Sequence, residues 1–575
     1  MRRIAVAATV LLCVCALAPA AEQPVELRGA WTHPTSWKTQ ADADRMLDRA
    51  DAMNLNALFM LVYYYGGQAA YRTDLAPMLE GVEDGFDPLG YAVAEGGKRG
   101  IEVHAWFVNG PGRTRKGEGP LEKRPEWKAM DLMGRRIDWF DLCRPEVRAY
   151  QARLMLDCLK RYPVASLHFD YIRFPGRQAV CACPECRRLC REESGVDLDT
   201  LRFTDLPAIG EVDGNPLAQP TTVRTLVRFE NSEPALAIHD LGKGRVVLLN
   251  WKPHRWCPVA VATAVKRLLA ERGVKEGDRV LALDHSSNKD RRWQRYQEAQ
   301  GWAAALGYVA KRATDEHLTA LPPGAAVFME GFYDMPDEAA EHLTRHVEAG
   351  GVAVFMDGPV FAVNRRESAR QLLGFKRSGK YFKGVKELHV TDAGADLVPH
   401  GKRSLDLDTV RADWAKWTQW RKDQISDLVR KVAEGGPGVR PGALVTAAVF
   451  RTKEAAESVH QDWPRWHREG WCDYVIPMSY VETPEELDAH FGWWKQLDPP
   501  LARIIPAVGA FKIAPDLKGE ARAAEIGKQV AVCRRHGARG VCLFVLKAID
   551  DATATALGRT VFPGKAKPYR PPARN

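Results

Sequence analysis

Residues 164–175 read Val-Ala-Ser-Leu-His-Phe-Asp-Tyr-Ile-Arg-Phe-Pro, which sets an imidazole, a carboxylate and a guanidinium at the end of one short apolar run. Strand side chains alternate faces, so His168 and Asp170 point one way and Phe169 the other. A carboxylate beside an imidazole at the C-terminal end of a parallel strand is how a (β/α)8 barrel presents catalytic groups. Arg173 follows closely, and a nearby positive charge favours the ionised carboxylate. A structural carboxylate paired to Arg173 and His168 is the alternative reading of the same residues.

The elements that would position this strand are legible on both sides of it. Strand-like runs at Val25–Trp31, Asn56–Val62, Ile101–Val108 and Val164–Asp170 alternate with helical patterns at 40–53, 88–99 and 145–161. The alternation breaks for about two hundred residues and resumes with a helix over 409–433. Four more strands follow, at Ala443–Phe450, Tyr474–Met478, Arg503–Val508 and Gly540–Val545, each with a helix after it. Alternating strands and helices imply a parallel sheet, and eight of them imply a closed barrel. The expected fold class is therefore α/β: a (β/α)8 barrel interrupted after strand four by a smaller flavodoxin-like α/β domain. That order puts residues 22–200 in the first barrel half, 201–402 in the insert, 403–565 in the second half and 566–575 in a disordered tail. An insertion after strand four leaves from the catalytic face, so the inserted domain would stand beside the site.

Arg2 and Arg3, the apolar run Ile4–Ala18 and the small residues Ala18-Pro19-Ala20 form a secretory signal peptide over residues 1–21. No stretch is long enough for a stable membrane span, so the mature chain is expected to be secreted or periplasmic. The formal charge of +9 is mild for 575 residues, and no dense Lys/Arg run is interleaved with aromatics, which argues against nucleic-acid binding. No Gly-rich phosphate loop or His-Glu zinc helix is present, so no cofactor is expected. Cys181, Cys183, Cys186 and Cys190 follow strand four in a C-x-C-x2-C-x3-C spacing, readable as a disulfide staple, as a structural zinc site or as free thiols.

Several stretches taken in order carry a resemblance. Leu27-Arg28-Gly29-Ala30-Trp31, the run Lys98 to Phe107, Arg144-Pro145-Glu146, His168 to Pro175 and Asp473 to Tyr480 together resemble the family-ten-type glycosyl-hydrolase-like barrels of bacterial envelopes. The resemblance covers residues 26–175 and about 410–550. It implies an exported glycoside hydrolase acting on a polysaccharide or on peptidoglycan glycan strands. The inserted domain resembles the glutamine-amidotransferase-like fold. That family's nucleophilic Cys is replaced by Glu330 and Asp357 in the nearest matching segments, which implies a non-catalytic domain.

Glycoside cleavage needs one carboxylate at an oxocarbenium-like carbon and an acid for the leaving oxygen. Asp170 fits the first role. Strand five ends Val449-Phe450-Arg451 without a carboxylate, so Glu482, just past strand six, is the candidate acid; a solvated helix-start residue is its alternative. Glu102 lies too deep and Asp473 sits at the barrel bottom. A substrate N-acetyl group acting in place of a second carboxylate is a further option. His33, His104, Trp106, Asn109, His168, Arg173 and Tyr480 are the candidate substrate-binding residues, by hydrogen bonding and by stacking on sugar faces. A barrel that binds carbohydrate without cleaving it is the competing function.

Overall fold

Short runs rich in Val, Ile, Ala and aromatics, broken by Gly, Asn and Pro, form the eight strands of a parallel cylinder. They are Leu27–Thr32, Ala57–Tyr64, Glu102–Val108, Ser166–Asp170, Leu444–Val449, Tyr474–Pro477, Ala507–Val508 and Gly540–Leu543. This computed structural model describes residues 23–572 except 65–66, 113–118, 132–135, 176–179, 199–211, 215–216, 254–256, 258, 287–291, 358–359, 380–381, 386–387 and 399–406. The expected signal peptide and the domain limits near 200 and 402 lie outside the described residues.

Each strand pairs with the next in chain order, and strand eight returns to strand one from Leu27↔Gly540 to Ala30↔Leu543. Strands six and seven meet at the parallel bridge Val475↔Ile504, where the Val475 amide donates to the Arg503 carbonyl at 2.9 Å. Strands four and five pair from Ser166↔Leu444 to Phe169↔Ala447, although the whole insertion separates them in the chain. Helices over Gln40–Ala52, Pro88–Lys98, Pro145–Arg161, Leu407–Val439 and Gly519–Arg535 cover the outside. Their boundaries follow local chemistry. The Thr39 hydroxyl accepts from the Asp42 amide to cap the first of them, and Pro145 occupies the first turn of the third. Trp417, Ile425, Leu428 and Val432 line the buried stripe of the Leu407–Val439 helix.

The inserted segment builds its own sheet. Five parallel strands run in the spatial order Val309–Ala313, Arg279–Leu283, Ala326–Glu330, Val352–Met356 and Gly244–Leu249. Three antiparallel strands extend it: Pro234–Leu241, Arg224–Phe229 and Leu388–Val390. The charged Val309–Ala313 strand sits at the edge with four of its five residues at least partly open to water, so it carries no apolar alternation.

The tail expected to be disordered is docked instead. Lys567 pairs with Val25, the Tyr569 hydroxyl donates to the Ala502 carbonyl at 2.9 Å, and Arg570 pairs with Glu102 at 2.5 Å. Its prolines remove donors without removing carbonyls or side chains, and those make the contacts. Asn56 ties this floor together. Its Oδ1 accepts from the Arg28 amide at 2.9 Å, and its Nδ2 donates to the carbonyls of Glu26 at 2.8 Å and Ala566 at 3.1 Å. Asn56→Ala strands these buried groups and is expected to cost about 2–3 kcal/mol of unfolding free energy, read by denaturant titration. A loss below about 0.5 kcal/mol would mean the floor is held without it.

Candidate active site

Asp170 ends strand four with its side chain inside the cylinder, and Phe169 packs outside among the helices. The chain turns at once: Tyr171 has φ +50, a left-handed conformation that costs a tyrosine about 1–3 kcal/mol. The turn aims the Tyr171 amide back at Asp170 Oδ1 (2.6 Å), while Trp106 Nε1 donates to Oδ2 at 3.1 Å. Burial pushes the Asp170 carboxyl above its ordinary range; the charge of Arg173 and these two donors pull the other way and do not win. Arg173 acts in the expected direction, favouring the ionised form, and burial is the larger influence. The guanidinium does not reach the carboxylate as an ion pair. It lies 4.2 Å over the Tyr171 ring and 4.5 Å over the Phe450 ring. What remains is a carboxyl that holds its proton longer than an exposed aspartate, a property suited to a general acid.

A connected set of rings walls the mouth. Trp106 meets His33 at 5.3 Å, His33 meets Phe544 at 5.8 Å, and Phe544 stacks on Tyr480 at 4.7 Å. Phe511 closes the set against Tyr480 at 5.7 Å and is 38% exposed. Burial, followed by the charge of Lys547, brings His33 down to about 4, so it is neutral near pH 7. Burial and the Asp170 charge hold the Tyr480 hydroxyl well above its ordinary value, which keeps it a donor. Phe511, Phe544 and Trp139 were not anticipated. Trp139 comes from a hairpin, Lys128–Met130 with Arg136–Phe140, that the sequence reading left unassigned. Its indole donates to the Arg173 carbonyl at 3.0 Å, and Gly110 lies so near its ring that a Cβ would stand 2.4 Å away.

His168 and His104 do not face the mouth. Both are fully buried and belong to one hydrogen-bonded row across the barrel interior. Trp31 Nε1 can only donate, and its partner is His168 Nε2 at 3.2 Å. The His168 proton therefore sits on Nδ1 and goes to Thr446 Oγ1 at 2.8 Å. Thr446 meets Ser166 at 3.4 Å, and Ser166 meets His104 Nδ1 at 2.7 Å. One donor-only indole thus sets the tautomer of His168. Burial holds His168 well below its ordinary value and brings His104 down to about 3 with the charge of Arg570. Asn109 is also interior: its amide donates to the Asp170 carbonyl at 2.9 Å and its side chain meets Gln151 at 3.0 Å. These three candidates build the site and cannot touch a substrate as placed.

Glu482 is exposed, and its backbone amide donates to Glu486 at 3.0 Å, inside the cap formed by Thr483 and Glu486. The groups that act on Asp170 are Arg173, the Tyr171 amide and Trp106. Among the described residues no second carboxylate joins them, so the assignment of Glu482 as acid partner is not supported by contact. Asp473 caps the start of strand five, accepting from the Val445 amide at 2.7 Å, and Glu102 is on the floor with Arg570.

The cysteine cluster is rearranged relative to expectation. No disulfide joins the ten described cysteines. Cys181, Cys183 and Cys186 converge with Asp141, whereas Cys190, one helical turn on, turns its sulfur to Ser194 at 3.3 Å.

Residues 26–180 and 392–522 match the model of the family described as Glycosyl hydrolase-like 10. Among curated relatives, "Glycosyl hydrolase YngK" of Bacillus subtilis (strain 168) is 26% identical over 151 residues, covering 24% of this chain and 28% of that protein. "Glycosyl hydrolase DigH" of Escherichia coli (strain K12) is 28% identical over 173 residues, covering 25% of this chain and 38% of that one. The matched stretches thus span well under half the length of either relative. Among solved structures, a beta-galactosidase from Bacillus circulans sp. alkalophilus aligns with 10% identity and a TM-score of 0.40, covering 91% of this chain and 51% of that one. An alpha-L-fucosidase isoenzyme 2 from Paenibacillus thiaminolyticus aligns with 11% identity and a TM-score of 0.36, covering 93% and 49%.

The buried row makes a pH prediction. The unfolded chain protonates His104 below about pH 6.5, whereas the folded chain refuses that proton until about pH 3. The unfolded state binds more protons across this window, so stability is full above it and falls as pH drops through it. His104→Gln keeps a partner for Ser166 and removes the titration. Its melting temperature is expected to fall less steeply than that of the native chain between about pH 6.5 and pH 4. Equal slopes would place the acid sensitivity elsewhere.

Proposed function

We propose that this protein is an exported glycoside hydrolase acting on a polysaccharide or on cell-wall glycan strands, with Asp170 as the group that handles the proton. The single observation that carries the reading is a buried, proton-retaining carboxyl at the end of barrel strand four under a wall of aromatic rings. The family match supports a glycoside-related function. In this reading Tyr480, Phe511 and Phe544 stack on sugar faces, whose C–H surfaces suit aromatic rings, and His33 hydrogen-bonds hydroxyls as a neutral imidazole. Asp170 gives its proton to the glycosidic oxygen as the C1–O bond breaks. Among the described residues no second carboxylate acts on Asp170, so the reading favours a glycan whose own N-acetyl carbonyl oxygen attacks C1. Water then opens that intermediate and returns its proton to Asp170. Such a glycan is an N-acetylhexosamine polymer, as in peptidoglycan.

The localisation proposed is secreted or periplasmic, on the leader-like residues 1–21. The inserted domain is read as amidotransferase-like and non-catalytic. Asp357 follows the Val352–Met356 strand with φ +51, and its carboxylate is engaged by the Tyr333 hydroxyl and by Lys252 at 3.3 Å.

That no second carboxylate acts on Asp170 among the described residues also favours a second reading, a barrel that binds glycan without cleaving it. One experiment separates the two. The purified chain is incubated with peptide-free peptidoglycan strands and with a panel of neutral polysaccharides, and reducing ends are counted. Hydrolysis of the N-acetylated strands is expected, with Asp170→Asn lowering kcat by about 10²–10⁴-fold and Glu482→Gln leaving it within twofold. Saturable binding with no reducing ends from any glycan, unaffected by Asp170→Asn, would establish the binding-only barrel.

A further inference from the structure

Asp141 lies between strand three and its helix, and the three converging cysteines lie between strand four and the insertion. The two segments are already laced together beside the mouth. Val180 bridges Asp131, the Ala182 amide donates to the Met130 carbonyl at 2.7 Å, and the Met130 amide donates to Cys181 Sγ at 3.2 Å. At the centre, Asp141 Oδ2 stands 2.7 Å from Cys181 Sγ, 3.2 Å from Cys183 Sγ and 3.2 Å from Cys186 Sγ. All four ligand atoms lie within 4.8 Å of one another, and all four residues are buried.

We propose that Asp141, Cys181, Cys183 and Cys186 form a four-coordinate site for one zinc-class divalent cation, which locks the strand-three and strand-four loops at the barrel mouth. Three arguments carry it. The first is hydrogen-bond capacity. Without a cation, three thiols crowd one carboxylate: Cys181 and Cys183 both turn to Oδ2, and Cys186 reaches Oδ2 at 3.2 Å and Oδ1 only at 3.5 Å, while Oδ1 already accepts from the Cys143 amide. A dication among the four satisfies every ligand at once. The second is size. Zinc–sulfur bonds of about 2.3 Å and zinc–oxygen bonds of about 2.0–2.2 Å place tetrahedral ligands somewhat under 4 Å apart. That spacing fits a single ion and is too tight for a multi-iron cluster, whose ligands stand at its outer corners.

The third argument is charge and support around the ligands. Three thiolates and a carboxylate outweigh a dication by two negative charges. Arg144 Nη1 lies 3.8 Å from Cys183 Sγ. The buried Arg421 donates to the Val180 carbonyl at 2.8 Å, beside Cys181. These are two cations for two negative charges. Backbone amides also reach the ligands, as second-shell donors do at metal sites. Cys143 N donates to Asp141 Oδ1 at 3.1 Å, which leaves Oδ2 for the centre, and Cys186 N reaches Cys183 Sγ at 3.4 Å. A disulfide between any two of these cysteines would remove two of the four ligands and leave Asp141 with one thiol at the centre. Soft thiolates select zinc over calcium or magnesium.

The test is metal content of the full chain purified without chelator, by plasma mass spectrometry. Close to one zinc per chain is expected, set free as about three equivalents of an organomercurial cap the three thiolates. Asp141→Asn and Cys183→Ser should each lose most of the metal, and Cys190→Ser should retain it. Should the ligand variants fail to fold, the native chain decides alone: cobalt substitution should give thiolate-to-cobalt charge transfer and the visible bands of a tetrahedral site, and chelation should lower the melting temperature. A metal-free native chain with a disulfide among these cysteines would overturn the proposal, and so would zinc loss from Cys190→Ser equal to that from Cys183→Ser.

Discussion

The cylinder depends on one seam. Strands four and five must pair for the barrel to close, yet the chain leaves at Asp170 and returns only at Leu444. The pairing is made twice over. Backbone hydrogen bonds set the register from Ser166↔Leu444, and inside the barrel Thr446 of strand five bonds His168 and Ser166 of strand four. The Trp31–His168–Thr446–Ser166–His104 row then reaches strands one and three. Four of the eight strands are held in one register by side chains hydrogen-bonded from one to the next. Buried polar groups are costly when unmatched, so a slip of strand five by one residue would break the row as well as the ladder.

Asp170 sits directly above that row and takes its character from it. The interior beneath is closed by Trp31, Trp106 and His168, so the carboxyl is walled from water on all sides except the mouth. The same closure makes His168 and His104 neutral and raises the proton affinity of Asp170: one burial, with opposite effects on a base and an acid. His33, Phe544 and Tyr480 are partly exposed rings joined in contact to Trp106, whose indole bonds the acid. The left-handed turn at Tyr171 both supplies a donor to Asp170 and sends the chain under Arg173, whose guanidinium is spent on two aromatic faces.

Periodicity carried the fold far. The eight strands and most outer helices lie within a few residues of their expected limits, because alternation and Gly or Pro punctuation report local structure. Asp170 inward and Phe169 outward follow from the same rule. What the rule does not encode is contact between loops. The hairpin over 128–140 has a strand of three residues and another with exposed charges, so it carries little apolar signal. Asp141 follows it, forty residues from the cysteines it meets, and no spacing rule joins a carboxylate to a distant C-x-C-x2-C. Side-chain direction was equally opaque. Glu482 shares its loop with Tyr480 but faces water, and Arg173, three residues from Asp170, turns onto rings. The cap of Thr483 and Glu486 beside it was legible, since that pattern is local.

The parallel bridge of Val25 to Lys567 brings the first and last described segments together beneath the barrel, on the face opposite Asp170. A bead, surface or fusion partner joined to either segment would hang below the floor and leave the mouth pointing outward. The orientation of an immobilised molecule is in effect decided by one short stretch of backbone pairing, on the far side of the barrel from Asp170.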